Sequence, residues 1–405
     1  MRRKVFGYNV HIPLEPEAVG RVLLDNAANY VKPDIVKTLL NPTIGRGLLS
    51  SDGDLWRDQR RIVAANFAPG AVDALMPVFA GAARRAMVRW HESALDMAAE
   101  ATQTTMRIIS DALFAGDARL TTDAAMTHIA AALDGVSEQR LQALLGLPLM
   151  PWSGRGRRAR DSRRFLRETL AAVVRDRLPD GGPDDFLGRL IRALHGKFES
   201  EEALALAVDN AATFYLAGHE TTANAITWTL FLLAEQPGLQ DQVAIEARAA
   251  LTTGEGDPDL PERLPRLRQV IEESMRLYPP VPRFDRQALA ADRLGEAEVA
   301  KGDIISIWPW LLHRHHALWD NPDAFDPDRF GPDGAPRHRF QYLPFGAGPR
   351  LCVGARFAMA EALTVLAHWL ACWSFAPMPG REVRPSGMVT LRPAGGLPLR
   401  LTPRA

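Results

Sequence analysis

The chain has 405 residues, enough for a large core, and its 47% hydrophobic and 24% charged residues are the balance of a soluble globular protein. Lys+Arg and Asp+Glu both number 48, so net charge points to no nucleic-acid partner and leaves recognition to local patches. Two cysteines cannot staple a fold this large, and the start, MRRKVFGYNVHIPLEPEAVG, has no apolar run long enough for a signal peptide or membrane anchor, so a cytoplasmic protein is expected.

Residues 70–250 are rich in Ala and Leu at helical spacing, which predicts a mostly α middle. The stretch LLGLPLMPWSGRGRRARDSRRF interrupts it with Pro, Gly and arginines. It reads either as a surface loop feeding a basic helix or as an apolar lid, Leu145 to Trp152, over a pocket. Ser200 then reads as an N-cap with Glu201 and Glu202 in the first turn, opening a helix to about Gln236, roughly 50 Å long at 1.5 Å per residue. It is apolar on nearly every face, so it belongs in the protein centre.

The middle of that helix reads Ala217-Gly218-His219-Glu220-Thr221-Thr222. Gly costs about 1 kcal/mol relative to Ala there, and a buried glutamate costs more unless partnered. Two readings stand: a kink satisfied by threonine back-bonding, or a locally opened helix facing a reaction site. Next, LPRLRQVIEESMRLYPP predicts a helix stopped by Pro279 and Pro280, with Glu273 and Arg276 on one face. Arg329, in NPDAFDPDRF, offers a second cation for Glu273. From about Leu277 the texture turns proline-dense, with short β-like pieces such as DIISIWP. Helices first and small sheets later predict a mainly α, α+β chain forming one domain over 1–405.

FGAGPRLCVG, Phe345 to Gly354, sets one of the two cysteines among glycines, ahead of the helical stretch GARFAMAEALTVLAHWLACW. Gly346, Gly348 and Gly354 allow close backbone approaches, and Cys352 at a helix start beside Arg350 suits a thiolate bound to the metal of a large flat cofactor. Cys372, in an apolar helix, reads as a core packer.

These motifs resemble those of the cytochrome P-450 superfamily of heme-thiolate monooxygenases. Phe345–Gly354 is similar to its heme-binding signature, Ala217–Thr222 to its oxygen-activation motif, Glu273-Ser-Met-Arg276 with Pro327–Phe330 to its Glu-Arg-Arg clamp, and Trp56-Arg-Asp-Gln-Arg60 to the helix that reaches the heme propionates. The resemblance implies a single heme domain with the long helix lying over heme b, iron protoporphyrin IX. It implies Cys352 as the axial iron ligand and Arg350, Arg60, Trp56 and Arg286 on the propionates. Phe345 and Gly346 would lie beside the proximal face, and Thr221 and Glu220 would manage protons for oxygen activation. Ala217 and Val281 would touch substrate, and Glu273, Arg276 and Arg329 would form a structural clamp. The lid reading gains weight, because the family gates its pocket with a loop there.

The family usually carries a longer stretch, with a first helix and the opening of a sheet, than the 55 residues that precede Trp56. The cluster His313-Arg-His315-His316 invites a metal reading, but the family has a structural His-Arg loop there. The chain lacks the cysteine set of a ferredoxin and any glycine-rich dinucleotide fingerprint. The expected activity is therefore insertion of one atom of O2 into a lipophilic substrate, with electrons from a ferredoxin or flavodoxin and its reductase. Arg57 and Arg61, flanking Arg60, are expected to form a basic docking patch for that partner. The alternatives are a peroxide-driven peroxygenase, a heme-thiolate isomerase, or a non-catalytic heme sensor or carrier.

Overall fold

The computed structural model of the chain describes residues 2–5, 8–91, 93–122, 125, 127–128, 131–132, 154–178, 182–252, 254, 256–387 and 389–404. The lid segment Leu145–Trp152 lies outside the described residues, and the basic helix after it spans Gly154–Arg175.

The central helix is Ser200–Ala234, 35 residues, and it is buried on all sides through most of its length, as its unbroken apolarity requires. Its cap differs from the sequence reading. Glu199, extended at φ −59° and ψ 151°, is the N-cap and makes no side-chain capping bond, while Ser200 is already helical. Both residues are exposed, so water satisfies the first N–H groups and no hydroxyl is needed there. The helix also stays continuous through Gly218 rather than opening. Glycine is needed there for space: a Cβ would come within 2.5 Å of Ile109 Cδ1 on the helix Met97–Phe114, which packs against the central helix. Thr221 Oγ1 donates to the Ala217 carbonyl at 2.9 Å and Thr222 Oγ1 to that of Gly218 at 3.3 Å, the back-bonding alternative.

The main core gathers around this helix from Phe79, Ile109, Trp369 and their neighbours on the helices Met76–Met87, Met97–Phe114 and Ala355–Cys372. Cys372 is exposed rather than core: it is the last residue of its helix, where the chain turns out of the apolar stack ending at Ala371.

A second core lies under a five-stranded sheet of order β1-β2-β8-β5-β3, built from Arg2–Val5 (β1), Tyr8–His11 (β2), Tyr30–Val31 (β3), Phe284–Ala288 (β5) and Ile304–Ile307 (β8). The chain's first residues thus supply the sheet opening. The sequence DIISIWP yields β8, buried at every position, as a strand with neighbours on both edges must be. Smaller sheets join Ala94–Asp96 (β4), Trp373–Pro377 (β9) and Pro398–Pro403 (β12), Asp292–Leu294 (β6) with Ala297–Val299 (β7), and Pro385–Gly387 (β10) with Leu391–Pro393 (β11). Among the described residues no single helix is long and apolar enough to cross a membrane, and one bent pair, Gly53–Phe67 with Pro69–Met87, reaches that length and composition.

The clamp forms at the end of the helix Pro265–Leu277. Arg276 donates Nε to Glu273 Oε2 at 2.6 Å and Nη2 to Oε1 at 2.8 Å, and both side chains are fully buried. The other guanidinium hydrogens go to the carbonyls of His313, Pro322 and Ala324 at 2.6–2.9 Å. Glu273 Oε1 also accepts the Asp326 N–H at 2.9 Å, and Arg329 Nε stands 3.4 Å away as the second cation. One ion pair thereby holds two stretches of chain, the helix end at His313 and the meander at residues 322–326. His313 continues the chain of bonds. Its Nε2 accepts the Leu343 N–H at 2.8 Å, and burial keeps the ring neutral, with its pKa pushed down to about 3. The His313 ring is thus committed to structure, and no group of three His, Cys, Asp or Glu among the described residues could hold a metal.

Removing one partner of a buried pair strands the other charge at a cost of about 3–5 kcal/mol. Arg276→Ala should therefore give little soluble, heme-loaded protein, and Arg276→Lys should fail similarly because one ammonium cannot reach all these acceptors. Expression followed by absorbance of the soluble fraction is the check. Normal yield and loading from Arg276→Ala would contradict the clamp.

Candidate active site

From the clamped Leu343 the chain turns through the cysteine loop. Gly346, at φ 72°, and Gly348, at φ 67°, both occupy left-handed backbone that side chains disfavour. Gly348 also lies so close to the first sheet's flank that a Cβ would sit 1.8 Å from the Leu23 carbonyl. Cys352 N–H donates back to the Phe345 carbonyl at 2.9 Å, closing the loop just before the helix Ala355–Cys372.

Cys352 is crowded by surrounding residues yet exposed to a cavity that it lines. Burial raises its pKa, against the lowering influence of the Gly354 N–H and Arg60. The helix start and nearby cation therefore do not outweigh burial by themselves. A bound metal's own charge would supply what is missing.

The cavity is about 360 Å³. Its walls include Cys352, Phe345, Gly346 and Arg350 from the cysteine loop, Ala217, Glu220 and Thr221 from the central helix, and Val281 and Arg286 from the segment after Pro280. Nine site residues legible in the sequence thus meet around one space. Trp56 and Arg60, on the helix Gly53–Ala64, are not among its lining residues. They stand behind Arg350: its guanidinium carbon lies 4.0 Å over the Trp56 ring, and Arg60 acts electrostatically on both Arg350 and Cys352. Arg350 itself donates to the Ser51 carbonyl at 2.9 Å and pairs with Asp52. That helix is locked to the centre by Gln59, which accepts from Asn210 Nδ2 at 2.6 Å and donates to the Arg46 carbonyl.

Three features escaped the sequence reading. Lys32, just past β3, lines the cavity beside Arg286 and Arg350. Thr390 donates to Glu220 Oε1 at 2.6 Å, with Arg392 Nη2 3.7 Å from the same oxygen, so the β10–β11 hairpin holds the central acid. Only distance in sequence hid that contact, since residues 220 and 390 carry no shared pattern. Arg57 and Arg61 each pair with an acid three residues earlier, Asp54 and Asp58, which offsets the charge of the expected basic patch.

The family model described as Cytochrome P450 matches residues 1–396. A relative from Streptomyces melanosporofaciens, Cyclooctatin synthase, is 33% identical over 402 residues, covering 97% of this chain and 86% of that protein. The chain belongs to the cytochrome P450 family. Human Cytochrome P450 4F2 is 31% identical over 96% of the chain and 80% of its own length. Among solved structures, CYP175A1 from Thermus thermophilus superposes with a TM-score of 0.76 at 28% identity, covering 98% of this chain and 90% of that one. A cytochrome P450DA heme domain superposes at 0.85 with 23% identity over 100% and 90%, a likeness of fold.

As a P450 the chain is a heme-dependent monooxygenase. Its residues fit the cofactor. A soft sulfur faces the cavity, and three cations line it against one acid, Glu220, which lies with Thr390 instead. A largely apolar space with surplus positive charge calls for a flat apolar ligand carrying acidic groups.

The loop glycines differ in what they require. Gly348→Ala must displace backbone at Leu23 and should lose on the order of 3 kcal/mol or more. Gly346→Ala meets no atom within 4 Å and faces only the left-handed strain, about 1–2 kcal/mol. Denaturant melts of the two variants give the comparison. Equal effects would mean that the contact with Leu23 does not set the loop.

Proposed function

We propose that residues 1–405 form one heme b domain that hydroxylates a lipophilic molecule, in the cytoplasm, with electrons from a ferredoxin or flavodoxin and its reductase. The observation that carries this reading is the single cavity with Cys352 in one wall and Glu220 and Thr221 in another. Cys352 Sγ would hold the iron, and Arg350 and Arg286 would hold the acidic groups of the cofactor, with Trp56 and Arg60 supporting Arg350. When bound, heme supplies the oxidising chemistry of O2 activation, strengthened by thiolate ligation.

The remaining work falls to side chains. Leu40, Ile44, Leu49, Leu216, Val281 and Val389 line the cavity and favour an apolar substrate over water. The overall reaction needs two protons as well as two electrons, leaving one hydroxylated product and one water. Thr221 Oγ1 lies on the cavity and can exchange its bond to the Ala217 carbonyl for one to a reacting oxygen. The Glu220 carboxyl group, fixed by the Thr390 hydroxyl, lies one residue before Thr221. A donor acts at about 2.6–3.2 Å or through one water, so this pair can relay protons from the hairpin side to the cavity. Arg57 and Arg61 are 60% and 80% exposed and remain the candidate contacts for an acidic partner.

Two measurements test this. Reduced protein with carbon monoxide should show the strongly red-shifted Soret band of thiolate ligation. Cys352→His should lose it and Cys372→Ala keep it; the reverse would move the ligand. With a true substrate and competent partners, Thr221→Ala should bind heme and substrate, consume reductant, and divert it to hydrogen peroxide, while Glu220→Gln should slow turnover. Unchanged coupling in Thr221→Ala would remove the acid–alcohol pair. Equal peroxide-driven hydroxylation by wild type and both variants would favour a peroxygenase.

A further inference from the structure

We propose that Lys32 is a propionate-binding residue of the heme site and that it makes heme retention dependent on pH. The inference rests on the heme reading above. It starts from β-sheet register. The antiparallel pair β3–β5 sets Tyr30 opposite Ala288 and Val31 opposite Gln287. Extending that register by one residue puts Lys32 opposite Arg286. Like charges directly opposite in a sheet destabilise it, so a fold without a ligand has no use for this pair. Both side chains line the cavity, with Arg350 beside them.

The surrounding charges do not neutralise the pair. The groups acting on Lys32 are Arg286 from β5, Arg350 from the turn before Cys352, Lys37 from the helix Asp34–Ile44, and Asp52 at the start of Gly53–Ala64. Asp52 is the sole acid among them, and it is already engaged by Arg350 and, at 3.0 Å, by Lys37. Asp285, next to Arg286, is taken by Arg283 at 3.1 Å and by the Ser306 hydroxyl. Lys32 makes no hydrogen bond or ion pair among the described residues. An unpartnered ammonium facing an apolar cavity beside two guanidiniums is a site for carboxylates. Heme brings two.

The consequence for pH follows from the same surroundings. Burial, then Arg286 and Arg350, push the Lys32 ammonium down to about 7 in the unliganded site. A propionate beside it raises that value again. Between the two values, heme binding must take up a proton, so affinity falls as pH rises through this window and is level below it. One proton sets a limit of about tenfold per pH unit.

The same carboxylate chemistry could come from an acidic substrate, and the experiment separates the two. Heme transfer from the purified holoprotein to excess apomyoglobin is followed at the Soret band from about pH 6.5 to about pH 9. Wild type should lose heme several-fold faster at about pH 9 than at about pH 7, as the liganded ammonium begins to give up its proton. Lys32→Met should lose heme about tenfold faster than wild type at pH 7 and show a flattened slope. Lys32→Arg, whose charge is fixed, should stay slow and flat, and it carries the test should Lys32→Met not assemble. Titration of each ferric protein with a long-chain fatty acid should give Soret shifts that are alike. Wild-type rates and slope in Lys32→Met, or a wild-type slope in Lys32→Arg, would overturn the assignment. So would loss of the fatty-acid response with heme loss unchanged, which would give Lys32 to a substrate carboxylate. A wild-type protein with no Soret band would instead sink the heme reading itself.

Discussion

The buried pair Glu273–Arg276 is the constraint on which the catalytic half of the molecule hangs. Two full charges out of water cost several kcal/mol each unless every lone pair and hydrogen is used. Here they are used: the guanidinium holds the carbonyls of His313, Pro322 and Ala324 and the carboxylate holds the Asp326 N–H. The meander therefore has one low-energy position. Through His313 and the Leu343 N–H, that position is handed to the cysteine loop. Cys352 is thus positioned by an ion pair about eighty residues upstream in sequence.

The opposite wall of the cavity is set by apolar packing. A helix of 35 residues, buried on nearly all sides, cannot shift without breaking contacts along its whole length. Gly218 lets the helix Met97–Phe114 come close enough to fix it in rotation, which aims Ala217, Glu220 and Thr221 at the cavity. Between a loop placed by polar bonds and a helix placed by packing lies a space whose rim is held in electrostatic conflict. Lys32, Arg286 and Arg350 repel one another there, and Asp52, shared with Lys37, offsets only part of that repulsion. Such local inconsistency, in a fold otherwise well satisfied, is where function is expected.

How much of this could be read from the chain alone depends on the reach of the interaction. The central helix, the proline stop after Leu277, the pairing of Glu273 with Arg276 and the special backbone of Gly346 and Gly348 are local. Each depends on residues within a turn or two, and each was legible. Cys352, Glu220 and Thr221 were legible because short motifs mark them. Details that depend on solvent or on a second element were not. The cap moved to Glu199 because the helix end is wet, and Cys372 proved exposed because its helix ends there. Gly218 looked like an opening because Ile109, its reason, is 109 residues away in sequence.

The sequence by itself determined the mainly helical architecture, the buried centre and the clamp pair, since periodicity and spacing encode one-dimensional neighbours, and its motifs marked Cys352, Glu220 and Thr221 as candidates. Only the tertiary structure decided who faces whom. It turned Arg350 onto Asp52 and Trp56, gave Glu220 to Thr390, and set Lys32 across from Arg286. Those contacts join residues 170 to nearly 300 positions apart, and strand register and helix packing, which no local pattern records, are what bring them together.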